Sequence, residues 1–170
     1  RSVHTIEKYI LYLQEAYLVF SLPRFSFKLK DQVGYNKKIY CTDNGLAVSA
    51  GFRFSADRGA LYENLVAIAL KKEEMAGRIS LFYWKSPQGG EVDFVVKEGL
   101  RISRLIQACS DISNPKTLKR EMRALLKASQ ELHCDELLLL NDRVDRTETF
   151  QWQGAEPRIR LMPLWQWLDQ

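Results

Sequence analysis

Histidine is nearly absent: His4 and His133 are the only two in the chain. Neither has a carboxylate or cysteine at a metal-ligand spacing, apart from Cys134 beside His133. A histidine-built metal centre and a Ser–His–Asp hydrolase are both poor readings. Cysteine is scarce as well. Cys41, Cys109 and Cys134 are odd in number, far apart and outside any CxxC spacing. Reduced thiols in a cytoplasmic protein are the expectation, not a disulfide framework or a zinc ribbon. No apolar run approaches the roughly 18 residues of a membrane helix, and no signal-peptide pattern is present. No GxxxxGK[ST] loop occurs, so this chain by itself is expected neither to bind nor to hydrolyse ATP. An excess of one charge is missing too. The 25 Lys and Arg against 21 Asp and Glu leave a net charge of +4. With a pI of about 9.0 that mildly favours an anionic partner.

What is present is an ordinary globular composition, 46% apolar and 27% charged over 170 residues. A chain of this size buries roughly two-thirds of its unfolded surface and needs no covalent staples. One domain, or a domain plus a fragment, is expected. The chain opens at Arg1 already inside a helical pattern, which suggests a piece of a longer protein. There is no internal repeat and no low-complexity tract.

"SVHTIEKYILYLQEAYLV" reads as a helix with Ser2 as N-cap and Ile6, Ile10, Leu13 and Tyr17 at helical spacing. "LVFSLPRFSFKLK" reads as a hairpin hinged near Pro23. A helix followed by a hairpin is the second half of a winged helix, although any small helix–hairpin unit fits as well. "KKIYCTDNGLAVSAGF" reads as a short strand, a turn at Asp43–Gly45 and a connecting segment. The domain boundary falls near Ala50, giving segments 1–50 and 51–170. "RGALYENLVAIALKKEEMAG" is a helix expected to bury Leu61, Leu65, Ile68 and Ala69, with Gly77 ending it. "RISLFYWK" is a strand and "SPQGG" a turn. "NPKTLKREMRALLKASQELHC" is a helix capped by Asn114, with Leu118, Met122, Leu125, Leu126 and Leu132 as its core stripe. "DELLLLN" reads as a strand buried on both faces. Late strands and a short closing helix follow. The order implies an α/β fold, a mixed sheet with helices against it.

"EVDFVVKEGLRISRLIQACS", from Glu91 to Ser110, reads as two strands joined by a short turn. Strict alternation places Glu91, Asp93 and Val95 on one face and Val92, Phe94 and Val96 on the other. Two carboxylates beside an apolar face often border a metal or substrate site. Glu63 on the preceding helix, and Gln107 and Cys109 on the following strand, complete the group of interest. Each also has a plain structural reading: Glu63 as a salt-bridge partner, Glu91 as a solvated strand-edge residue, Asp93 as a hydrogen-bonded core residue. Lys116, Lys119, Arg120, Arg123 and Lys127 form a basic stripe on one helix, either a solvated face or a phosphate-binding one.

This order of a helix glutamate, a strand aspartate and a following polar strand resembles the PD-(D/E)XK nuclease superfamily, whose fold is restriction-endonuclease-like. "GALYENLVAIAL", "LFYWKSPQGGEVDFVV" and "RLIQACSDI" are closer still to domain of unknown function 4143. The G-x-x-x-E-N, Y-W and E-V-D-F blocks of that family match Gly59–Asn64, Tyr83-Trp84 and Glu91–Phe94. "KKIYCTDNGL" resembles its K-x-Y-x-x-D-x-G lead-in and "PLWQWL" its closing segment. The resemblance implies a restriction-endonuclease-like mixed sheet flanked by helices, preceded by a partial winged helix. It implies a place behind the P-loop module of prokaryotic AAA-type ATPases, so ATP belongs to that module and the module is a partner. It also implies a magnesium site in which carboxylates hold the ion and a lysine orients or activates water. Where the family pattern reads I-E-V-K, however, this chain reads Ile106-Gln107-Ala108-Cys109.

Gln107 is a poor magnesium ligand, and Cys109 cannot replace an ammonium near phosphate. Glu63, Asp93, Gln107 and Cys109 therefore read as the relic of a catalytic site. Glu63, Asp93 and Glu91 would offer only a weak, millimolar-range magnesium site. The leading expectation is a degenerate nuclease-fold module that binds DNA or its own ATPase domain. One alternative is an active magnesium-dependent DNA endonuclease with a relocated lysine, drawn from Lys85, Lys97 or Lys71. Another is a protein-interaction domain without nucleic-acid contact. DNA contacts are expected from Arg24, Lys28 and Lys30 on the wing, with Lys37 and Lys38 close by, and from Lys116, Lys119, Arg120, Arg123 and Lys127. No membrane partner is expected. Neither the oligomeric state nor a DNA target is legible.

Overall fold

A computed structural model describes residues 3–49 and 58–170. Ser2, expected as a helix cap, and the boundary near Ala50 lie outside the described residues. Helix α1 (Val3–Glu15) leads into strand β1 (Val19–Leu22), helix α2 (Leu29–Gly34), strand β2 (Lys38–Cys41) and helix α3 (Asn44–Ser49). Then follow α4 (Arg58–Met75), β3 (Ser80–Lys85), β4 (Glu91–Glu98), β5 (Arg101–Ala108), α5 (Pro115–Leu132), β6 (Leu137–Asn141), β7 (Arg146–Thr149), β8 (Arg158–Pro163) and α6 (Leu164–Leu168). Among the described residues, no helix is long and apolar enough to cross a membrane.

A six-stranded mixed sheet runs in the order β3-β4-β5-β6-β8-β7. The first three strands are an antiparallel meander. Helix α5 then carries the chain across to β6, which lies parallel to β5, and β8 lies parallel to β6. Two apolar clusters cover the two faces. Met122, Leu125 and Leu126 of α5 pack with Leu137, Leu139 and Leu161 on one side. Val66, Ala67 and Leu70 of α4 pack with Phe20, Tyr40, Leu138 and Leu140 on the other. Strand β6 is buried throughout, with neighbouring leucines in opposite clusters, as its unbroken apolar run predicts. Helix α5 also matches its reading: Asn114 accepts from the Lys116 N–H at 2.9 Å and Pro115 opens the first turn.

Three expectations are corrected. The hairpin at Pro23 does not form. After β1 the chain leaves the ribbon and joins the edge of the large sheet: Phe25 donates to the Tyr83 carbonyl at 2.7 Å, and Tyr83 to the Pro23 carbonyl at 3.0 Å. Proline has no N–H with which to continue a ladder, and residues 29–34 turn helical. The antiparallel partner of β1 is instead β2, with Val19 opposite Cys41 and Leu22 opposite Lys38.

The inner face of α4 is the second correction. It buries Asn64, Val66, Ala67 and Leu70, while Leu65 is exposed. The helix is apolar on most sides, so periodicity could not select its face.

Third, alternation along β4 breaks. Pairing with β3 slips between Phe82 and Trp84, so that β4 carries one extra residue at Asp93 and Phe94. Val92 and Val95 consequently share the α5 side, while Phe94 and Val96 share the α4 side. Such bulges re-aim side chains beside functional sites.

Candidate functional site: a carboxylate cluster closed by a lysine

The bulge lies where β4 and β5 part. Their pairing runs from Glu98–Arg101 to Phe94–Ile106 and stops there. Beyond it the Asp93 side chain substitutes for the ladder, its Oδ2 accepting from the Ala108 N–H at 3.1 Å. The Asp93 N–H also reaches β5, donating to Gln107 Oε1 at 3.2 Å. Gln107 Nε2 donates onward to Glu121 Oε2 of α5 at 2.8 Å. The fork opens into a cleft of about 790 Å³ lined by Glu63, Lys85, Glu91, Asp93, Gln107, Cys109, Arg120 and Glu121, among others. All five expected polar residues of the centre, from Glu63 to Cys109, therefore come together.

A residue that sequence reasoning placed elsewhere completes the group. The Lys38 Nζ lies 3.1 Å from Glu63 Oε1, 2.8 Å from Glu91 Oε1 and 2.8 Å from Asp93 Oδ1. Lys38 is thus no wing residue on an open surface; its side chain is only 20% exposed. Two neighbours hold it there. Tyr40, two residues on and so on the same face of β2, donates its hydroxyl to Glu63 Oε1 at 2.6 Å. Asn64 fixes α4 against β2: its Oδ1 accepts from the Cys41 N–H at 2.8 Å and its Nδ2 donates to the Cys41 carbonyl at 3.0 Å. With Asn64 clamped, Glu63 next to it faces Lys38 and Tyr40.

The electrostatics follow from burial and this one cation. Burial works to lower the pKa of Lys38, but Asp93 and Glu63 outweigh it and raise it above the ordinary lysine value. Lys38 is therefore an ammonium at any physiological pH. Burial pushes the Asp93 carboxyl above the ordinary aspartate value, with Lys38 pulling against the rise and Glu63 adding to it. Burial opposes the ionisation of Glu91 as well, yet Lys38 and then Lys85 hold its carboxyl below the usual range. Burial, reinforced by Glu63, raises Tyr40, which stays a phenol and a donor. Burial also pushes the Cys109 thiol up to about 11, Glu121 contributing. A thiol so protonated is no nucleophile at neutral pH.

Of the three lysines considered for relocation, Lys85 is at the rim, 3.2 Å from Glu91 Oε2. Lys71 pairs with Glu74 at 2.6 Å instead. Lys97 stands opposite Ser80, at the far end of β4 from Glu91. Glu121 was also missed. It is buried on α5 and pairs with Arg120 at 2.5 Å. Its place three residues after Leu118 and four before Leu125 puts a carboxylate on the apolar stripe, a signal readable in the sequence. For Lys38 and Tyr40 the K-x-Y alternation puts both on one face of a strand but does not say that this face is buried.

The magnesium that the resemblance implies does not fit these residues as they stand. Each carboxylate oxygen nearest the centre already faces Lys38, and Gln107 supplies a bridging amide where an anionic ligand would be needed. Among the described residues, no three His, Cys, Asp or Glu side chains are arranged to hold a metal ion.

The basic candidates divide. Lys116, Lys119, Arg120, Arg123 and Lys127 line one groove of about 580 Å³ with Gly89, Gly90 and Trp152. Gly90, Arg120 and Ala124 line both this groove and the carboxylate cleft, so the two are continuous. Gly90 takes φ +102, which a side chain would strain, and its Cα faces Ala124 at the junction. Among the described residues, only Arg120 of the five has an acidic partner. Arg24, by contrast, donates to the Lys85 carbonyl at 2.5 Å and stacks 4.1 Å over the Tyr35 ring. Lys28 and Lys30 are exposed near α2, and neither lines the groove.

Residues 58–165 match the family described as Domain of unknown function (DUF4143). The chain belongs to the DUF4143 family. Residues 1–57 match a second family, Domain of unknown function (DUF8612). Lys38 and Tyr40 thus come from the DUF8612-like segment, and the acids they meet come from the DUF4143 domain. Across 98% of its length the chain is 32% identical to "Uncharacterized protein MJ1544" of Methanocaldococcus jannaschii. It spans 36% of the length of that relative.

Proposed function

We propose that this DUF4143 chain is a DNA-binding accessory module of a longer P-loop ATPase. Its sheet would be of the restriction-endonuclease-like kind, with a centre that no longer cleaves. The observation that carries the reading is the α5 groove. Four of its five cations have no acidic partner among the described residues, and the groove runs into a cleft whose carboxylates are neutralised from within. Phosphate is the ligand such a groove suits, because lysine and arginine contacts to the backbone position a duplex without reading bases. The nuclease-like reading is supported by acids on α4 and β4 that meet at the β4–β5 fork. The silent centre is supported by Gln107, Cys109 and the unsuitability for magnesium. The ATPase context rests on the family resemblance.

Fluorescence anisotropy on a DNA duplex across a salt series tests this. Binding should be weak, largely independent of sequence and steeply salt-dependent. Lys119→Glu/Arg123→Glu should lower the log–log salt slope by roughly one per lost phosphate contact. Lys28→Glu/Lys30→Glu tests the winged-helix reading of the N-terminal segment, which now rests only on a helix followed by an antiparallel ribbon. If the duplex does not bind even at low salt, the module instead serves contact with its ATPase.

One observation favours a second reading. A lysine does reach the acids, as an active nuclease with a relocated lysine requires. Incubation of DNA with magnesium or manganese decides the matter: cleavage that disappears in Asp93→Ala would establish activity. The silent-centre reading expects none.

A further inference from the structure

We propose that Lys38 is the resident cation of the carboxylate cleft, a counter-ion supplied by the chain that keeps divalent metals out. An ammonium has three N–H donors. Lys38 meets three carboxylates within 3.1 Å, so donors and acceptors match in number. Two of the acids are held at their second oxygen as well, and the third shares one oxygen between two donors. Glu63 Oε1 also accepts from Tyr40, Asp93 Oδ2 from the Ala108 N–H, and Glu91 Oε2 faces Lys85 at 3.2 Å. A divalent ion would have to draw oxygens to about 2.0–2.6 Å and expel a largely buried ammonium from the three carboxylates that compensate it. Expulsion is hindered by the backbone that carries Lys38. Strand β2 is held by four residue pairs to β1 and by the Asn64 clamp to α4.

The cation and the acids come from segments matching different families, so the cleft is complete only when both segments are docked. Lys38 therefore also acts as the electrostatic tie between the β1–β2 ribbon and the main sheet. This stands whether or not the α5 groove binds DNA, because metal binding is read separately from DNA binding.

Manganese binding, followed by the electron paramagnetic resonance signal of free Mn²⁺, tests the proposal on the whole chain. Wild type should show no saturable site below about 1 mM, the weak end of oxygen-ligand sites. Lys38→Met should gain one site at least ten-fold tighter, and Asp93→Asn added to it should abolish the gain. Lys38→Arg, which restores the charge, should again exclude the metal. A submillimolar site in wild type, or no gain in a folded Lys38→Met, would overturn the proposal. A second measurement needs no variant. Reductive methylation read by mass spectrometry should label exposed Lys28 and Lys30 well before Lys38. Addition of 1 mM MnCl2, on the order of that same weak-site limit, should not change the protection. Labelling of Lys38 at the rate of Lys28, or its release by manganese, would also overturn it.

Discussion

An amide at position 107 does what an acid there could not. Gln107 accepts from the Asp93 N–H and donates to Glu121, so one side chain bridges a donor and a carboxylate. A glutamate in its place would set two buried carboxylates at hydrogen-bond distance. Gln107→Glu, the residue that the family pattern carries, should cost roughly 2–4 kcal/mol in urea denaturation at neutral pH. Glu121→Gln alongside it should recover part of that loss. Cys109 makes a second test. Its thiol pKa is raised from an ordinary 9.0 to about 11, so the proton is held over the whole range between them. At pH 8 its thiolate fraction is then about 100-fold below that of a free thiol, since two units of pKa are two decades of ionisation. Iodoacetamide should label it slowly and accelerate only as pH climbs toward 11. Rapid labelling at pH 8, assigned by its loss in Cys109→Ser, would contradict this environment. At this scale the acids were legible, because Glu63, Glu91 and Asp93 interrupt otherwise apolar elements. Lys38 was not, because its neighbour Lys37 disguised it as half of a basic pair.

Helix α4 shows what happens when a pattern is too apolar to be read. With Leu61, Leu65, Val66, Ile68 and Leu70 distributed around it, hydrophobicity does not select a face. The polar residue does. Buried Asn64 bonds both backbone groups of Cys41 and also donates to Asn44 Oδ1 at 2.7 Å. Asn64→Ala should strand those groups and cost about 2–4 kcal/mol, more than the loss of a surface hydrogen bond. The measurement is thermal or urea unfolding, with Asn64→Asp expected to recover less than full stability because one donor becomes an acceptor. Strand β4 is the opposite case. Its boundaries were legible from the alternation and from the turn at Gly99, which takes φ +57. The bulge at Asp93 was not, because an extra residue appears only when two strands are paired.

On the scale of the molecule, the N-terminal ribbon and the main sheet are joined at several points. The Lys38 ion pairs, the Asn64 clamp and the bridge from Arg24 to Tyr83 all cross between them. The chain should therefore unfold in a single transition. All four tryptophans, Trp84, Trp152, Trp165 and Trp167, lie after residue 58. Tryptophan fluorescence thus reports the main sheet, while far-ultraviolet circular dichroism includes α1 and the ribbon. The two denaturation curves should coincide. An early loss of dichroism at constant fluorescence would show that the ribbon docks only loosely.

After residue 58, though not for α2 and α3 before it, the elements and their order were legible in the sequence by itself: capped α5, the β4–β5 turn and the doubly buried β6. These depend on short-range spacing, on caps and on apolar runs, which are local properties. Glu63, Glu91 and Asp93 were legible too, since strand and helix order bring them to one end of the sheet, although Glu121 of the same cleft was missed. Tertiary structure decided the rest. It paired β1 with β2 instead of with its sequence neighbour, chose the face of α4, and re-aimed β4 by a bulge. Above all it chose the cation. A lysine is soluble anywhere on a surface, and nothing in its local sequence says that it is buried. Only the three carboxylates converging from α4 and β4 make burial of Lys38 favourable, and that convergence exists only in the folded chain.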